Sequence, residues 1–393
     1  MEKRTLIQKN IAKKITSRIF ILSLIAFTGF FQIQLTTAIA NKTPSPRYGH
    51  EMVYDEKNNQ TIIFGGEDPS KIVNDFKDIW IYSSQLQTWT KISSPNSPVA
   101  RIGHKMVYNT ISGKIILFGG METADYTRLN DMWIFDPENK EWSELNPLLS
   151  PTIRSDHAMY FDPIFNTIVL FGGYKANDML SSETWIYNFT TNNWYQINPL
   201  TKPTERYGHT FVYDKNLGVG VFFGGRYIDL MAETWFFNLS SSSWTKKTPS
   251  INPIKRYWSD MVYNSYEQNF IMFGGDNEQS PIRALGDTWT FSSSTLQWTS
   301  IQTSASPPPR NNHAMVFDSY LNKTLLFGGF GEDYSKVYGD FWMYDSETLN
   351  WNQISSSSIS STWIIIIGTG GGIVLISGVI IAIVFVRKKQ KKA

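Results

Sequence analysis

The sequence predicts an all-β fold, a six-bladed β-propeller with four antiparallel strands per blade, plus one C-terminal transmembrane α-helix. Three observations support this prediction. One unit of about 50 residues occurs six times. Each unit contains four short β-branched and aromatic stretches separated by turn residues. The last long apolar run, residues 364–386, contains no charged residue and is long enough to cross a bilayer.

Composition and charge exclude several classes of protein. Of 393 residues, 41% are hydrophobic and only 18% are charged, which is not typical of a disordered or coiled-coil chain. Cysteine is absent, so disulfides, thiolate metal sites and a cysteine nucleophile are excluded. Residues 41–386 contain 25 basic and 33 acidic side chains, a net charge of −8. Because an acidic body repels phosphate backbones, we expect no nucleic-acid binding.

Four landmarks define the repeated unit. Each unit begins with an arginine: Arg47, Arg101, Arg154, Arg206, Arg256 and Arg310. A glycine pair follows: Gly65 and Gly66, Gly119 and Gly120, Gly172 and Gly173, Gly224 and Gly225, Gly274 and Gly275, Gly328 and Gly329. A first tryptophan, two residues after an Asp or Glu, comes next: Trp80, Trp133, Trp185, Trp235, Trp289 and Trp342. A second tryptophan completes the unit: Trp89, Trp142, Trp194, Trp244, Trp298 and Trp351.

The spacing of these landmarks separates fixed from variable parts. The steps from Arg to Gly, from first to second Trp and from second Trp to the next Arg are always 18, 9 and 12 residues. Constant spacing is typical of strands and turns held in register. Only the interval between the glycine pair and the first Trp varies, from 11 to 15 residues. This interval predicts an exposed loop between the second and third strands (B and C), on a face that often binds ligands in repeat proteins.

These motifs resemble the Kelch repeat, and the resemblance covers residues 47–351. It implies a ring of six blades around a channel, with B–C and D–A loops on one face that commonly carries the ligand site. Family members often close the ring by exchanging a terminal strand. This chain departs from that pattern, because it starts at strand A of blade 1 and ends at strand D of blade 6. We therefore expect closure by packing between blades.

The chain ends predict a secreted, membrane-anchored protein. Residues 1–40 read as a signal peptide, with six Lys or Arg, an apolar stretch over 19–31 and a small-x-small site at 38–40. The propeller occupies 41–354, with blades at about 47–97, 98–150, 151–202, 203–252, 253–306 and 307–354. A Ser-rich stalk (355–362), a transmembrane helix (363–386) and a basic cytoplasmic tail (387–393) follow. The basic tail predicts that the propeller lies outside the cell.

The repeated residues are interpreted as structural. An Arg or acid found in every blade is typical of architecture, so these side chains are expected inside the propeller rather than lining a pore. All five histidines occupy one position, three residues after the Arg: His50, His104, His157, His209 and His313. We expect buried, hydrogen-bonded imidazoles there. No metal site, cofactor or catalytic residue is predicted. The missing cysteine also removes the Tyr–Cys crosslink of galactose-oxidase-like Kelch enzymes.

Binding residues are expected where one blade departs from the others. Tyr and Arg in the B–C loops and one unusual Trp near a blade start are the candidates, since such residues dominate binding hot spots. They are Tyr126, Arg128, Tyr174, Arg226, Tyr227, Trp258, Arg283, Tyr334 and Tyr338. The preferred function is an interaction module for a cell-surface protein or glycan. The alternative is a carbohydrate-active enzyme of the Kelch sialic-acid epimerase type, with its site at the channel mouth. Small-residue pairs in the apolar run also suggest a helix-mediated homodimer.

Overall fold

The computed structural model describes residues 20–27, 30–39, 43–70, 76–279, 283–332, 336–354, 359–367 and 373–377. The chain divides into two compact units. One unit is Pro44–Ser355, and the other combines Met1–Thr43 with Ser356–Ala393. The first unit contains six antiparallel sheets, one per repeat, and each has four strands in the order A-B-C-D. A short additional strand, Arg101–Ile102, joins the sheet of blade 2. The six-bladed propeller expected from the sequence is therefore confirmed.

The strands of the six blades occupy equivalent positions. The A strands are Glu51–Asp55, Lys105–Asn109, Ala158–Asp162, Thr210–Asp214, Asp260–Asn264 and Ala314–Asp318. The B strands are Gln60–Phe64, Lys114–Glu122, Thr167–Phe171, Val219–Phe223, Asn269–Phe273 and Lys323–Phe327. The C strands are Ile79–Ser83, Arg128–Asp136, Thr184–Asn188, Thr234–Asn238, Thr288–Ser292 and Phe341–Asp345. The D strands are Thr88–Ile92, Glu141–Leu145, Asn193–Ile197, Ser243–Lys247, Gln297–Ile301 and Asn350–Gln353. A 3₁₀ turn, Ala176–Asp178, lies in the B–C loop of blade 3.

The A–B turns are built alike in all six blades. In blade 1 the carboxylate of Asp55 accepts the backbone N–H groups of Lys57 (3.1 Å) and Asn58 (3.3 Å). Such a bond mimics a backbone turn, which explains why Asp or Asn stands at this position. The equivalent buried residues are Asp55, Asn109, Asp162, Asp214, Asn264 and Asp318. The six turns therefore have one conformation that local sequence dictates.

Strand register defines the two faces of the ring. In blade 1, Glu51 at the start of strand A pairs with Phe64 at the end of strand B. Phe64 pairs with Ile79 at the start of strand C, and Ile79 pairs with Ile92 at the end of strand D. The B–C and D–A loops therefore share one face, which we call the B–C face. The A–B and C–D turns form the opposite face, which we call the A–B face.

The hydrophobic cores lie between blades rather than within them. Each of six clusters combines buried side chains of two neighbouring blades. The second tryptophan of a blade packs on the last phenylalanine of strand B in the preceding blade, as Trp298 does on Phe223 at 4.8 Å. Trp298 also donates its indole N–H to Thr234 Oγ1 of that blade (3.2 Å). The regularly spaced tryptophans thus fill the wedges between blades.

The ring closes by the same contacts that join its other blades. The second glycine of each pair donates its N–H to the carbonyl of the next blade's arginine, as Gly66 does to Arg101 (2.9 Å). At the closure Gly329 of blade 6 donates to Arg47 of blade 1, also at 2.9 Å. A Cβ on Gly65 would lie 2.6 Å from the Arg101 carbonyl oxygen, and the φ of Gly65 is +75°. Only glycine fits this junction. Closure without an exchanged strand, as expected from the sequence, is observed.

The second unit contains one antiparallel sheet. Its strands lie in the order Phe20–Phe27, Phe30–Ile39, Ile359–Ile367, Ile373–Ser377. The sequence analysis predicts a helix over 363–386, but the described residues of that segment are in strands. Runs of Ile and Val suit strands well, and an apolar run does not by itself distinguish the two states. The rest of that segment, with its small-residue pairs and the basic tail, lies outside the described residues. Within the described ranges, no helix is both long and apolar enough to span a membrane.

Candidate functional site

The six motif arginines form the frame that supports the B–C face. Arg310 donates to the carbonyl of Gly328 (2.9 Å) and forms two bonds with Asp340 (2.7 and 2.8 Å). Trp342 donates its indole N–H to the same carboxylate (2.7 Å). All six arginines are 0% exposed and contact the acid of their own blade. These side chains therefore brace the loops of their own blade and do not line the channel.

Partners lower the pKa of five acids of this frame, which are Asp78, Glu183, Glu233, Asp287 and Asp340. Burial alone would raise the pKa of Glu183, but hydrogen bonds from Arg154, Trp185 and Lys175 lower it to about 2. The pKa of Glu233 is lowered to about 2 in the same way. The charge of each guanidinium is thus compensated inside the propeller, where an unpaired charge is strongly destabilising.

The five histidines lie buried between blades. Burial lowers the pKa of His50 well below its usual value and Arg47 lowers it further, while the nearby Phe327 carbonyl opposes this weakly. Its ring also meets the Phe327 ring edge-on at 5.6 Å. The other four histidines have their pKa lowered by burial and a neighbouring Arg in the same order. Neither ring nitrogen of any of the five histidines has a hydrogen-bond partner among the residues that the structure describes, so their expected burial is confirmed and their expected hydrogen bonding is not. In the part of the chain that the structure describes, no three His, Asp or Glu side chains converge as metal ligands would.

A closed circle of backbone hydrogen bonds surrounds the channel mouth on the B–C face. The residue two positions after each motif arginine donates its N–H to the carbonyl of its counterpart in the preceding blade, at 2.7 to 3.1 Å. These residues are Gly49, Gly103, Asp156, Gly208, Trp258 and Asn312, and all six have positive φ. Glycine adopts this conformation readily, whereas a bulky side chain such as Trp is strained there. We call this circle the mouth ring.

Trp258 spans three blades at the mouth ring. From blade 5 its indole crosses Gly208 of blade 4 and donates to the Asp156 carboxylate of blade 3 (3.2 Å). A Cβ on Gly208 would lie 2.9 Å from Trp258 Cδ1, so glycine makes room for the indole. Burial raises the pKa of Asp156, while hydrogen bonds from Ser155 and Trp258 lower it. Backbone strain of this kind persists only where surroundings hold it and is often found at functional sites.

Two buried tyrosines form a floor beside Trp258. Tyr257 stacks on Trp258 at 4.3 Å and Tyr207 lies 5.6 Å from Tyr257. Both are at most 5% exposed. The ring of Tyr174, from blade 3, extends this floor, 4.3 Å from Tyr207. The tyrosines of blades 3 to 5 thus make a continuous aromatic layer under the B–C loops.

Arginines of the B–C loops lie on this floor. Arg226 donates to the Tyr207 hydroxyl (3.2 Å) and pairs with Glu278 of blade 5 (2.7 Å). Arg283 donates to the Tyr257 hydroxyl (3.4 Å) and pairs with Asp276 (3.3 Å). The side chains of Arg226 and Arg283 are 31% and 38% exposed, so they remain accessible. Arginines on aromatic faces, partly accessible to solvent, can bind a partner's carboxylates or carbonyls.

Arg128 continues the arginine row toward blade 2. Its guanidinium lies 5.1 Å from the centre of the Tyr174 ring and pairs with Asp178 at 2.7 Å. Six of the predicted residues therefore come together across blades 2 to 5. These residues are Arg128, Tyr174, Arg226, Trp258, Arg283 and, at the outer edge, Tyr227, which donates to Glu205. We call this group the blade 3–5 cluster.

Three predicted residues lie elsewhere. Tyr126 is 54% exposed and donates to the buried Glu67 of blade 1 (2.9 Å), away from the blade 3–5 cluster. Tyr338 is half-buried, with the guanidinium of Arg310 4.1 Å from its ring centre, so it belongs to the frame. Tyr334 lies outside the described residues.

Sequence reasoning missed a charged group inside the channel. Lys105 of blade 2 forms an ion pair with Glu51 of blade 1, and Asp260 of blade 5 lies close enough to influence both pKa values. Burial raises the pKa of Glu51 to about 7. All three occupy the position four residues after the motif arginine, where the other blades have Ala158, Thr210 and Ala314. Aligning that single position across the repeats would have found them.

The six four-stranded blades and their repeated Arg, Gly and Trp positions define a repeat propeller. Comparison with known proteins agrees: the profile of the KLHDC2/KLHL20/DRC7 Kelch-repeats domain matches residues 31–225 and 220–364. The chain belongs to the Kelch-repeat family.

Individual relatives match over parts of the chain. Mei4-dependent protein 6 of Schizosaccharomyces pombe is 28% identical over 47% of this chain and 29% of its own length. Human Kelch domain-containing protein 1 is 32% identical over 39% of this chain and 38% of its own. The tRNA wybutosine-synthesizing protein 4 of Saccharomyces cerevisiae is 26% identical over 44% and 24%. The chain thus spans well under half the length of these relatives.

Proposed function

We propose that this protein is an interaction module that binds a segment of a partner protein on the blade 3–5 cluster. The observation that carries the proposal is Trp258, a residue with positive φ in the mouth ring, beside an aromatic floor on which the partly exposed Arg226 and Arg283 lie. Aromatic and arginine side chains around a buried centre are the usual composition of a protein-binding hot spot. The Kelch family is consistent with an interaction role.

A random peptide library displayed on phage tests this proposal with the full-length protein as bait. We expect the wild type to enrich peptides and Trp258→Ala to bind them at least tenfold more weakly, since the central aromatic anchor is lost. Tyr266→Ala is the matched control, because Tyr266 is 69% exposed on the A–B face. It should bind the same peptides as the wild type. Equal binding by Trp258→Ala, or no enrichment at all, would contradict the proposal.

Glycan recognition is the other ligand class open to an aromatic surface. A glycan array run on the same three proteins separates the two classes. Binding to glycans that depends on Trp258, without peptide enrichment, would replace the protein partner with a carbohydrate. The enzyme alternative requires accessible acids at this mouth. There Asp156 is held by Trp258, Asp276 and Glu278 are paired with arginines, and Asp260 accepts two backbone N–H groups in a small cavity behind them.

We also propose that the propeller is displayed outside the cell by its C-terminal apolar segment. Support comes from the sequence: the cationic and apolar N-terminal region, and the basic residues after the apolar run. Biotinylation of intact cells with an impermeant reagent tests this location. Labelling of propeller lysines such as Lys57 and Lys140 on intact cells is expected. Labelling only after permeabilisation would contradict the proposal.

A further inference from the structure

Beyond the mouth ring, the channel widens into a cavity of about 490 Å³ that reaches the A–B turns. Strand A of every blade contributes to its wall. Its inner end contains Glu51, Lys105 and Asp260, and its outer end contains Glu56 and Lys215. A much smaller cavity, about 50 Å³, lies at the mouth ring and includes Asp156 and Trp258. We call the larger cavity the chamber; its volume is within the range of small-molecule sites.

The charges at the inner end are not required by the fold. Three blades have Ala158, Thr210 or Ala314 at the equivalent position and form the same strand A. Replacing a buried ion pair by well-packed apolar residues is often neutral or stabilising. Glu51, Lys105 and Asp260 join neighbouring blades, but the fold does not require charged residues at this position.

Two of the three carboxylates of the chamber are neutralised by lysines. Lys105 pairs with Glu51, and Lys215 of blade 4 pairs with Glu56 of blade 1, so this second pair crosses the outer end of the channel. Asp260 is different. Its oxygens accept the backbone N–H groups of Met261 (2.8 Å) and Met315 (2.6 Å), and among the described residues no cation lies within 4 Å of it. Burial raises the pKa of Asp260, while Lys105 and the two backbone N–H groups lower it. Lys105 is thus shared by two carboxylates, Glu51 and Asp260, and when both are ionised one negative charge of the chamber has no cation of its own.

The walls between the two ends are mainly apolar. They include Met52, Met106, Val107, Val262 and Val316, one or two from each of several blades. The described residues hold no set of three His, Asp or Glu that would suit a metal ion. A ligand that fits such a cavity would be an apolar molecule with one positive charge.

We propose that the chamber is a second binding site, for an alkylammonium group whose charge lies against Asp260. The aliphatic stem packs on the methionines and valines, and entry is from the A–B face past the Glu56–Lys215 pair. The ammonium belongs either to a free amine or to a lysine side chain of a partner protein. The site lies behind the mouth ring and does not depend on the partner bound at the B–C face.

Isothermal titration calorimetry of the full-length protein tests the site with n-butylammonium chloride as probe, at constant ionic strength. We expect saturable binding, and at least tenfold weaker binding of n-butanol, which has nearly the same shape without the charge. Asp260→Asn should weaken n-butylammonium binding at least tenfold. Asp136→Asn is the matched control, because it removes one carboxylate in the same way but Asp136 pairs with Lys114 and lines neither cavity. Its effect should stay below twofold.

Three results would overturn the proposal: no saturable binding by the wild type, equal affinity for n-butanol, or equal loss in the two aspartate variants. If near-UV circular dichroism shows that Asp260→Asn does not fold, the comparison of the two probes on the wild type still decides. Competition by a capped tripeptide with a central lysine assigns the ammonium to a partner's lysine. Binding of n-butylammonium without competition by the peptide assigns it to a free amine.

Discussion

The two faces of the propeller are built on opposite principles. On the A–B face six turns repeat one design, in which a buried Asp or Asn accepts two backbone N–H groups of its own turn. On the B–C face the loops differ in length, and Trp258 departs from the glycine of blades 1, 2 and 4 at the same ring position. The difference teaches that what is repeated holds the ring together, whereas what is unique to one blade is available for binding.

Acidification should lower the free energy of unfolding more than any other change proposed here, because all five histidines take up protons on unfolding. Burial, and then a nearby arginine, lowers the pKa of each in the folded protein, while the unfolded value is near 6.5. Their contribution is complete above about pH 6.5 and is lost as the pH falls. Each neutral imidazole contributes a slope of about 1.4 kcal/mol per pH unit. Urea unfolding at pH 7.5, 6.5 and 5.5 measures it.

One group acts in the opposite sense and sharpens this test. The folded pKa of Glu51 is raised to about 7, so its contribution is lost as the pH rises and offsets roughly one histidine between about pH 4.5 and 7. Glu51→Gln should therefore steepen the loss on acidification. His313→Ser introduces the residue found at the equivalent position of blade 5, Ser259. It should reduce the slope of unfolding free energy against pH by the contribution of one imidazole. A free energy of unfolding that is flat from pH 7.5 to 5.5 would refute the buried neutral histidines.

Removing one frame arginine should give the next largest effect. Arg310→Met removes the guanidinium that donates to Asp340 and to the Gly328 carbonyl, which leaves the buried carboxylate with the Trp342 indole but without its counter-ion, and should lower the free energy of unfolding by about 3–5 kcal/mol. Lys57→Met removes an exposed ion pair with Glu138 and serves as the control, with no measurable change expected. Comparable losses of unfolding free energy in both variants would mean that the buried network stabilises the fold no more than an exposed ion pair does. Urea-induced unfolding monitored by tryptophan fluorescence measures both.

A turn anchor on the A–B face should matter more than a similar bond on the B–C face. Asp55→Ala removes the acceptor for the N–H groups of Lys57 and Asn58 and should cost about 1–3 kcal/mol. Asp125 accepts the N–H of Thr127 at 2.9 Å in the exposed B–C loop of blade 2. Asp125→Ala should have the same midpoint of urea unfolding as the wild type. The comparison of faces fails if the two variants behave alike.

A change in loop length should have the smallest effect on stability. Inserting Gly-Ser after Asp125 lengthens a loop whose length already varies among blades, and it should reduce the free energy of unfolding by less than about 1 kcal/mol. The same insertion after Asn58 interrupts a turn that is constant in all six blades and should be clearly more destabilising. Thermal unfolding measures both insertions. Tolerance of the second insertion would show that the A–B turns are less constrained than their shared geometry indicates.

The sequence predicts those features that depend on neighbouring positions within one repeat. Blade number, four strands per blade and the Gly junction at Gly65 and Gly66 follow from constant spacing. Contacts between blades are different. The pair between Glu51 and Lys105 joins neighbouring blades and residues 54 positions apart, and the pair between Glu56 and Lys215 joins blades 1 and 4 and residues 159 apart. Each pair joins two different repeats, so a repeat read in isolation does not show it.

Residue type alone also does not predict which tyrosine side chains are exposed and which are buried. Tyrosine and arginine were assigned to the binding face because of their chemistry. Tyr338 instead stacks under Arg310, and Tyr257 is 3% exposed beneath Trp258 and the B–C loop arginines. A large aromatic ring beside a guanidinium has a stable buried position available, which competes with its use at the surface.

The direction of strand D in blade 6 has a practical consequence for every binding experiment. Ile354 donates its N–H to Phe341 at the start of strand C, so the chain leaves the last blade on the B–C face, and Arg47 enters blade 1 on that face too. Attaching the propeller to a sensor chip through a residue beside Arg47 or Ile354 would turn the B–C face toward the chip. A biotin on a cysteine introduced at Lys140, in the C–D turn of blade 2, would present that face to the flowing analyte instead.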